Sequence, residues 1–200
     1  NSRYQPNFRP PTGDHYITLS THNRKADDIN ATELKDLPGR IQSFKASVEG
    51  EFNERNYPAD VTLELKTGAQ VMFIKNDQGQ FRRYFNGKIG VVTGFEDDAI
   101  LVKCKEEDFP IKVERVTWEN IQYHLNRQTQ QVEEKHLGSF TQYPLRLAWA
   151  VTIHKCQGLT FDRAIVDAGQ SFSAGQVYVA LSRCTTLDGL VLFSKIPPSA

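Results

Sequence analysis

Four polar side chains of different chemistry, Thr152, His154, Lys155 and Gln157, stand together after an apolar run that begins at Leu145 and just before Gly158. A hydroxyl, an imidazole, an ammonium and a carboxamide can all bond phosphate oxygens or the edges of nucleobases. The glycine permits close approach of backbone to a ligand. A second apolar run, Ala164-Ile-Val, follows at once. This order predicts a buried strand whose carboxyl end opens into a working loop, the place where open α/β sheets bind ligands. The pattern alone also fits a buried strand with an ordinary turn. Cys156 lies two residues from His154, a spacing that puts both on one strand face. No orienting third group or oxyanion site accompanies them, which argues against a thiol nucleophile.

Two further stretches carry chemistry. Tyr178-Val-Ala-Leu-Ser-Arg183 predicts a helix ending in an arginine. Such a cation is either solvated and favoured by the helix carboxyl terminus, or presented to a phosphate outside the domain, where its planar fork suits bidentate contact. Phe81-Arg-Arg-Tyr-Phe-Asn-Gly-Lys88 interleaves cations with aromatics. It reads equally as a stacking surface for single-stranded nucleic acid and as a hairpin with an Asn-Gly turn. The string G-x-x-x-x-G-K-[ST], whose amides cradle phosphate and whose hydroxyl holds magnesium, is absent: Gly87-Lys88 runs into Ile89. No pair of acidic residues closes a strand as a magnesium-binding second motif would, and no metal-ligand spacing links the histidines and cysteines.

The totals bound what must hold these residues. With 24 basic and 24 acidic side chains the net charge is +0, so no global basic field advertises nucleic acid, and any such contact comes from a local patch. Three widely spaced cysteines favour free thiols in a reducing compartment. The apolar runs are far shorter than the ~20 residues that span a bilayer, and the polar amino end gives no reason to expect secretion.

The elements fall into two textures. Residues 1–14, rich in proline, read as a linker. A strand over 16–21, polar residues at 22–25 and a helix over 26–34 stopped by Leu37-Pro38-Gly39 predict the opening of a βαβ unit. A further strand is expected over 41–48. Short β-rich runs at 62–65, 70–74, 89–93, 99–104 and 111–118, with turn signals between the later ones, predict a small barrel or meander. Residues 126–138 read as a protruding polar hairpin or loop, and Trp118, Tyr123 and Trp149 as core. From Leu145 the α/β texture returns: strand, loop, strand, and a helix over 174–183 opened by a Ser173/Gln176 capping box. Val177, Leu181 and Cys184 mark its buried face, and the buried strand 190–193 closes the layer. The expected domains are a discontinuous α/β layer, 15–65 and 141–200, around an all-β insert at 66–140.

Taken together, these motifs resemble the carboxyl-terminal half of a superfamily 1 helicase of the 5′-to-3′ branch, the Pif and RecD-like group. Thr18-Leu-Ser-Thr-His-Asn-Arg24 loosely matches the fourth helicase motif. Residues 68–76 with 85–92 match the family's entry into a Src-homology-3-like insert. Residues 148–160 match the fifth motif and 176–184 the sixth. The resemblance runs from about residue 15 through nearly the whole chain and is nearest to the Pif-like helicases. It departs at Cys156, where the family leads one to expect serine.

The resemblance implies a fold and a division of labour. The α/β layer would be a second RecA-like domain, interrupted by a Src-homology-3-like barrel. Arg183 would be the arginine finger reaching the γ-phosphate, with Gly158, Gln176 and Arg24 at the nucleotide. Thr152, His154, Thr21 and Asn23 would touch single-stranded DNA, with Lys155 and Gln157 linking that strand to the nucleotide cleft. ATP and Mg2+ would be held mainly by a first RecA-like domain of the same polypeptide, so these residues alone would not hydrolyse ATP. The expected state is an intracellular monomer without membrane contact. Two other functions fit the residues: a non-catalytic nucleic-acid or protein interaction module on a degenerate helicase fold, and a RecD-type subunit of an exonuclease complex.

Overall fold

The computed structural model describes residues 2–11, 13–105, 107–126, 131–167 and 174–196. The chain enters through a segment without regular structure, as its prolines dictate. Tyr4 nevertheless forms a parallel bridge with Leu192, and Arg3 donates to the carbonyls of Leu190 and Asp188. Strand β1 (Ile17–Ser20) leads into helix α1 (Asn23–Asp36). The helix starts three residues earlier than its apolar spacing suggests, because Asn23, Arg24 and Lys25 form its exposed first turn. It stops at Leu37, whose extended backbone precedes Pro38, as the steric clash before a proline requires. The buried Lys66 donates to the carbonyls of Lys35 and Leu37, placing a cation on the helix carboxyl end.

Next come β2 (Gln42–Lys45), β3 (Ser47–Gly50), β4 (Thr62–Leu65), β5 (Gln70–Phe73), β6 (Ile89–Glu96), β7 (Ala99–Cys104) and β8 (Ile111–Val113). Then follow β9 (Val116–Asn126) and β10 (Gln131–Gln142), a long antiparallel ribbon, and β11 (Leu145–Leu147). The chain finishes with β12 (Ala150–Thr152), β13 (Ala164–Val166), α2 (Ala174–Leu181) and β14 (Leu190–Leu192).

Four of these strands make an all-parallel sheet in the order β12-β1-β13-β14. Alternation along each strand sends Ile17, Leu19, Val151, Ala164, Val166, Leu190 and Leu192 into one core, with Ala180 of α2 packed on it. On the other face α1 is pinned to β12 by Asn30, whose carboxamide donates to the Ala150 carbonyl and accepts from its amide, both at 2.9 Å. The remaining strands are antiparallel: a five-stranded sheet β11-β5-β6-β7-β8, a three-stranded sheet β3-β10-β9 and the pair β2-β4.

Strand pairing does not change at the boundaries that composition suggested. Residues 42–65, placed by texture with the α/β layer, pair only with other antiparallel strands, and Leu145–Leu147 is an edge of the five-stranded sheet. The expected single strand over 41–48 is two strands that turn in opposite partnerships, one to β4 and one to β10. Val116–Asn126 and Gln131–Gln142 form the ribbon, so of the two readings offered for 126–138, hairpin or loop, the described residues follow the hairpin. Tyr123, expected in the core, stands exposed on that ribbon, while Trp118 and Trp149 are half-buried. Among the described residues no helix is long and apolar enough to cross a membrane, and no cluster of side chains suited to a metal ion occurs.

Candidate functional site

The carboxyl ends of β1, β12 and β13 lie side by side, with β12 and β13 on opposite flanks of β1. This is a topological switch point, where loops diverge and leave a crevice. Thr21, Asn23 and Arg24 rise from the end of β1 and the first turn of α1, half-buried for Thr21 and exposed for the other two. The Thr21 hydroxyl lies 2.7 Å from His22 Nδ1. The exposed amides of a helix amino terminus favour anions here. Lys25 pairs with Asp167, which follows β13, and so ties the first turn of α1 to the neighbouring strand end.

After Thr152 the chain leaves the sheet in a run of turns. His154, Lys155, Gln157 and Gly158 are exposed; Ile153, Cys156 and Leu159 face inward. The loop is therefore sorted into a polar outer side and an apolar anchor. Thr152 belongs to the anchor: it is 4% exposed and meets Asn23 and Lys155 in a cleft of about 230 Å³ beside α1. Gly158 has a φ of +79°, in the left-handed region, with open space around the position of a Cβ. Backbone conformation, not crowding, calls for glycine there.

The expectation that His154 and Cys156 share a strand face is corrected by this geometry. The strand ends at Thr152, and the Cys156 amide donates back to the Thr152 carbonyl, turning its side chain into the core while His154 points outward. The Cys156 thiol donates to the Ile153 carbonyl at 3.2 Å. Burial pushes its pKa up to about 11 against a smaller opposing pull from the Arg183 charge. A neutral, enclosed thiol is no nucleophile. The raised pKa also carries a stability signature. The folded state holds the proton more tightly than the unfolded chain, so this contribution is intact below pH 9 and is lost as pH rises toward 11. Cys156→Ala is expected to lose less stability than the parent chain, by about 2 kcal/mol, when urea unfolding at pH 8 is compared with pH 11.

Arg183 lies two residues beyond α2, on the turn that follows it. Its Nε donates to the Val179 carbonyl at 3.1 Å, Nη1 to the Leu159 carbonyl at 3.1 Å and Nη2 to Ser182 Oγ at 2.9 Å. The half-buried arginine thus joins the end of α2 to the end of the polar loop. The backbone follows the same path: Phe161 N donates to the Arg183 carbonyl and Thr185 N to the Phe161 carbonyl. Gln176 sits half-buried on α2. Ser173 of the expected capping box lies outside the described residues. Cys184 packs on the core from beyond the helix end, not from its face.

The structure brings two groups together: Thr21, Asn23, Thr152 and Lys155 at the strand ends, and Leu159, Arg183 and Cys156 at the loop's return. Residues 153–159 connect them. Sequence reasoning missed Asn30, Lys25 and Asp167. Polar residues in a helix and after a strand look like solvated surface until their partners, 120 and 142 positions away, are known.

No protein-family model matches the chain. Individual proteins do. The human ATP-dependent DNA helicase PIF1 is 38% identical over 176 residues, covering 86% of this chain and 26% of that protein. The solved structure of Bacteroides sp Pif1 in complex with ADP-AlF4 superposes with a TM-score of 0.87 at 39% identity, covering 98% of this chain and 44% of that one. Bacteroides Pif1 bound to ssDNA gives 0.73 at 40% identity over the same shares. The fold is that of a Pif1 helicase domain of mixed sheets and helices. The chain belongs to the Pif1-like helicases and corresponds to a carboxyl-terminal part of such a protein. It spans 26% of the human relative's length and less than half of the solved chains.

Proposed function

We propose that this chain is the carboxyl-terminal motor half of an ATP-dependent 5′-to-3′ DNA helicase. On this reading it is a second RecA-like domain with a Src-homology-3-like barrel inserted, supplying the arginine finger and part of the single-stranded DNA track. The observation that carries the reading is the loop 153–159: its outer side exposes His154, Lys155 and Gln157, and its last carbonyl, that of Leu159, is held by Arg183. One segment therefore links a strand-binding side to a phosphate-seeking arginine.

ATP and Mg2+ would be cradled by a first RecA-like domain, the metal neutralising charge on the phosphates. Phosphoryl transfer is mostly positioning and charge stabilisation. Arg183 would add its charge from across the cleft, with Gly158, Gln176 and Arg24 beside it, and without that partner domain the chain would not turn over ATP. Thr21, Asn23 and His154 would meet the strand, with Lys155 and Gln157 linking its phosphates to the nucleotide cleft. Thr152, enclosed beneath them, would set the loop's height rather than meet the strand. Cleft closure would then shift this domain along the strand once per ATP.

Fluorescence anisotropy with an oligothymidine strand at several salt concentrations tests the strand side. Lys155→Ala is expected to weaken binding and to lower the salt slope by about 0.7, the value for one phosphate of a single strand. His154→Ala weakens it with less change in slope, and Thr152→Ala least of all. Affinity and slope unchanged in all three would remove these residues from the track.

A further inference from the structure

The strand-end cluster leaves unused the stretch 81–88, where cations and aromatics alternate. In the structure Phe81 is 83% and Phe85 55% exposed, while Tyr84 between them is buried and stacked on Phe73 with ring centroids 4.2 Å apart. Single exposed apolar side chains are ordinary; here two stand four residues apart on one loop, and the loop tied to it carries another. Phe109 is 81% exposed on the loop between β7 and β8, and that loop is tied to 81–88 by Lys88, which pairs with Glu107 while donating to the Arg83 carbonyl. Arg83 Nη1 reaches the Lys112 carbonyl of β8 just beyond.

The exposure is built, not left over. The buried Asp77 carboxylate accepts from the amides of Gly79 and Arg83 and from Arg83 Nε, fixing the loop from beneath. Asn76 accepts from the Asn86 amide, and Gly87 turns with a φ of +99° against Leu159. Between these ties Arg82 is held, exposed, at a φ of 41°. A non-glycine residue there costs on the order of 1 kcal/mol, a strain that persists where the surroundings impose it and that gathers at binding sites. Asp77 and Glu107 are consumed by Arg83 and Lys88, whereas the cations of Arg82 and Lys105 are exposed. Beside them Phe85, Lys88, Lys105, His15 and Arg163 line a cleft of about 450 Å³, ample for a nucleobase.

We infer that the loop carrying Phe81, Arg82 and Phe85, with the tied loop that carries Lys105 and Phe109, is a second binding site for single-stranded nucleic acid, on the antiparallel module. It is separate from the strand-end cluster. Phe85 shares its cleft with His15 and Arg163, which precede the amino ends of β1 and β13, whereas Thr21 and Lys155 follow carboxyl ends. Bases stack on the phenyl rings and the two cations take the backbone between them, a chemistry tolerant of sequence. The site goes beyond the proposed track and does not depend on it.

Oligothymidine binding to the purified chain decides the matter, with melting temperatures confirming that each variant folds. Phe81→Ala/Phe85→Ala is expected to weaken binding roughly tenfold or more at an unchanged salt slope. Arg82→Gly is expected to lower the slope by about 0.7 while raising the melting temperature, because glycine relieves the left-handed backbone. A purely structural arginine would not lose binding as the fold gains stability. Strands carrying 5-iododeoxyuridine should crosslink to residues 81–85 or 109. Wild-type affinity in the double phenylalanine variant, or crosslinks confined to 152–158, overturns the site. His154→Ala/Lys155→Ala, measured in parallel, reports on the proposed track independently, so either may fail while the other stands.

Discussion

On the proposed function, replacing Arg183 by alanine in the full-length helicase is expected to lower ATP turnover about 10³-fold or more, the contribution of an arginine finger to phosphoryl transfer. The geometry makes the experiment more informative than a simple deletion. In the isolated chain the guanidinium is engaged by Val179, Leu159 and Ser182 through three of its five N–H groups, which leaves one on each terminal nitrogen for a phosphate. The Leu159 carbonyl belongs to the loop that carries His154 and Lys155. Arg183→Ala therefore removes the charge and also frees the loop's return, costing about 1–2 kcal/mol of stability for the charge-assisted bonds lost. Arg183→Lys separates the two effects. It restores the cation without the planar fork, and a lysine cannot bridge three acceptors in that arrangement. If Arg183 acts as a finger, both variants lose ATP turnover at saturating strand, while strand affinity changes by less than a few-fold. Turnover near that of the parent in the alanine variant would sink the assignment; an equal loss of affinity and turnover would make Arg183 a brace of the loop only.

How much of this was legible in the sequence depends on the range of the interaction. The parallel strands were readable because each is a short apolar run whose fate is fixed by its own side chains: Ile17–Ser20, Ala164–Val166 and Leu190–Leu192 lie where the runs predicted. Helix α1 was legible from its stop, since Pro38 acts locally, and less so from its start, since His22 offers no side-chain cap. The outer side of the loop 153–159 was legible as chemistry but not as geometry. Alternation suggested a strand through Cys156, whereas hydrogen bonds from Cys156 and Leu159 back along the loop curl it into turns. Thr152 was likewise read as a contact residue from its type, and only the structure shows that it is 4% exposed, at the wall of the cleft beside α1. The pairings of β2 with β4 and β3 with β10 could not be read at all. A four-residue strand carries no label for its partner when that partner is 92 positions away, as Val48 is from Phe140. The same applies to Gln142, fully buried, which donates to the Phe44 and Asp60 carbonyls and accepts from the Tyr143 amide. Nothing local marks it as a core residue.

Gly189→Ala is expected to cost more than about 4 kcal/mol and to leave little folded protein, among the largest losses that one methyl group can cause. Gly189 sits just before β14, and a Cβ there would overlap the Asp162 carbonyl oxygen and press on Cys184 Sγ. Neither neighbour can yield. Asp162 lies on the turn into β13, where Phe161 is bonded to Arg183 and Thr185 through its backbone, and the Gly189 carbonyl itself accepts from the Ala164 amide. Moving one strand start to admit the methyl group therefore breaks the β13–β14 ladder at its first rung and disturbs the turn that carries Arg183. The backbone conformation of Gly189 is not left-handed, so the demand for glycine is one of space alone. That gives the prediction a sharp contrast. At Gly158 the surroundings are open and only a φ of +79° resists a side chain, so Gly158→Ala is expected to cost on the order of 1 kcal/mol and to fold. Urea unfolding of the two variants, followed by far-ultraviolet circular dichroism, compares them directly. Equal stabilities would mean that the start of β14 is not packed against Asp162 in solution, and the position of Arg183 relative to the polar loop would have to be drawn again.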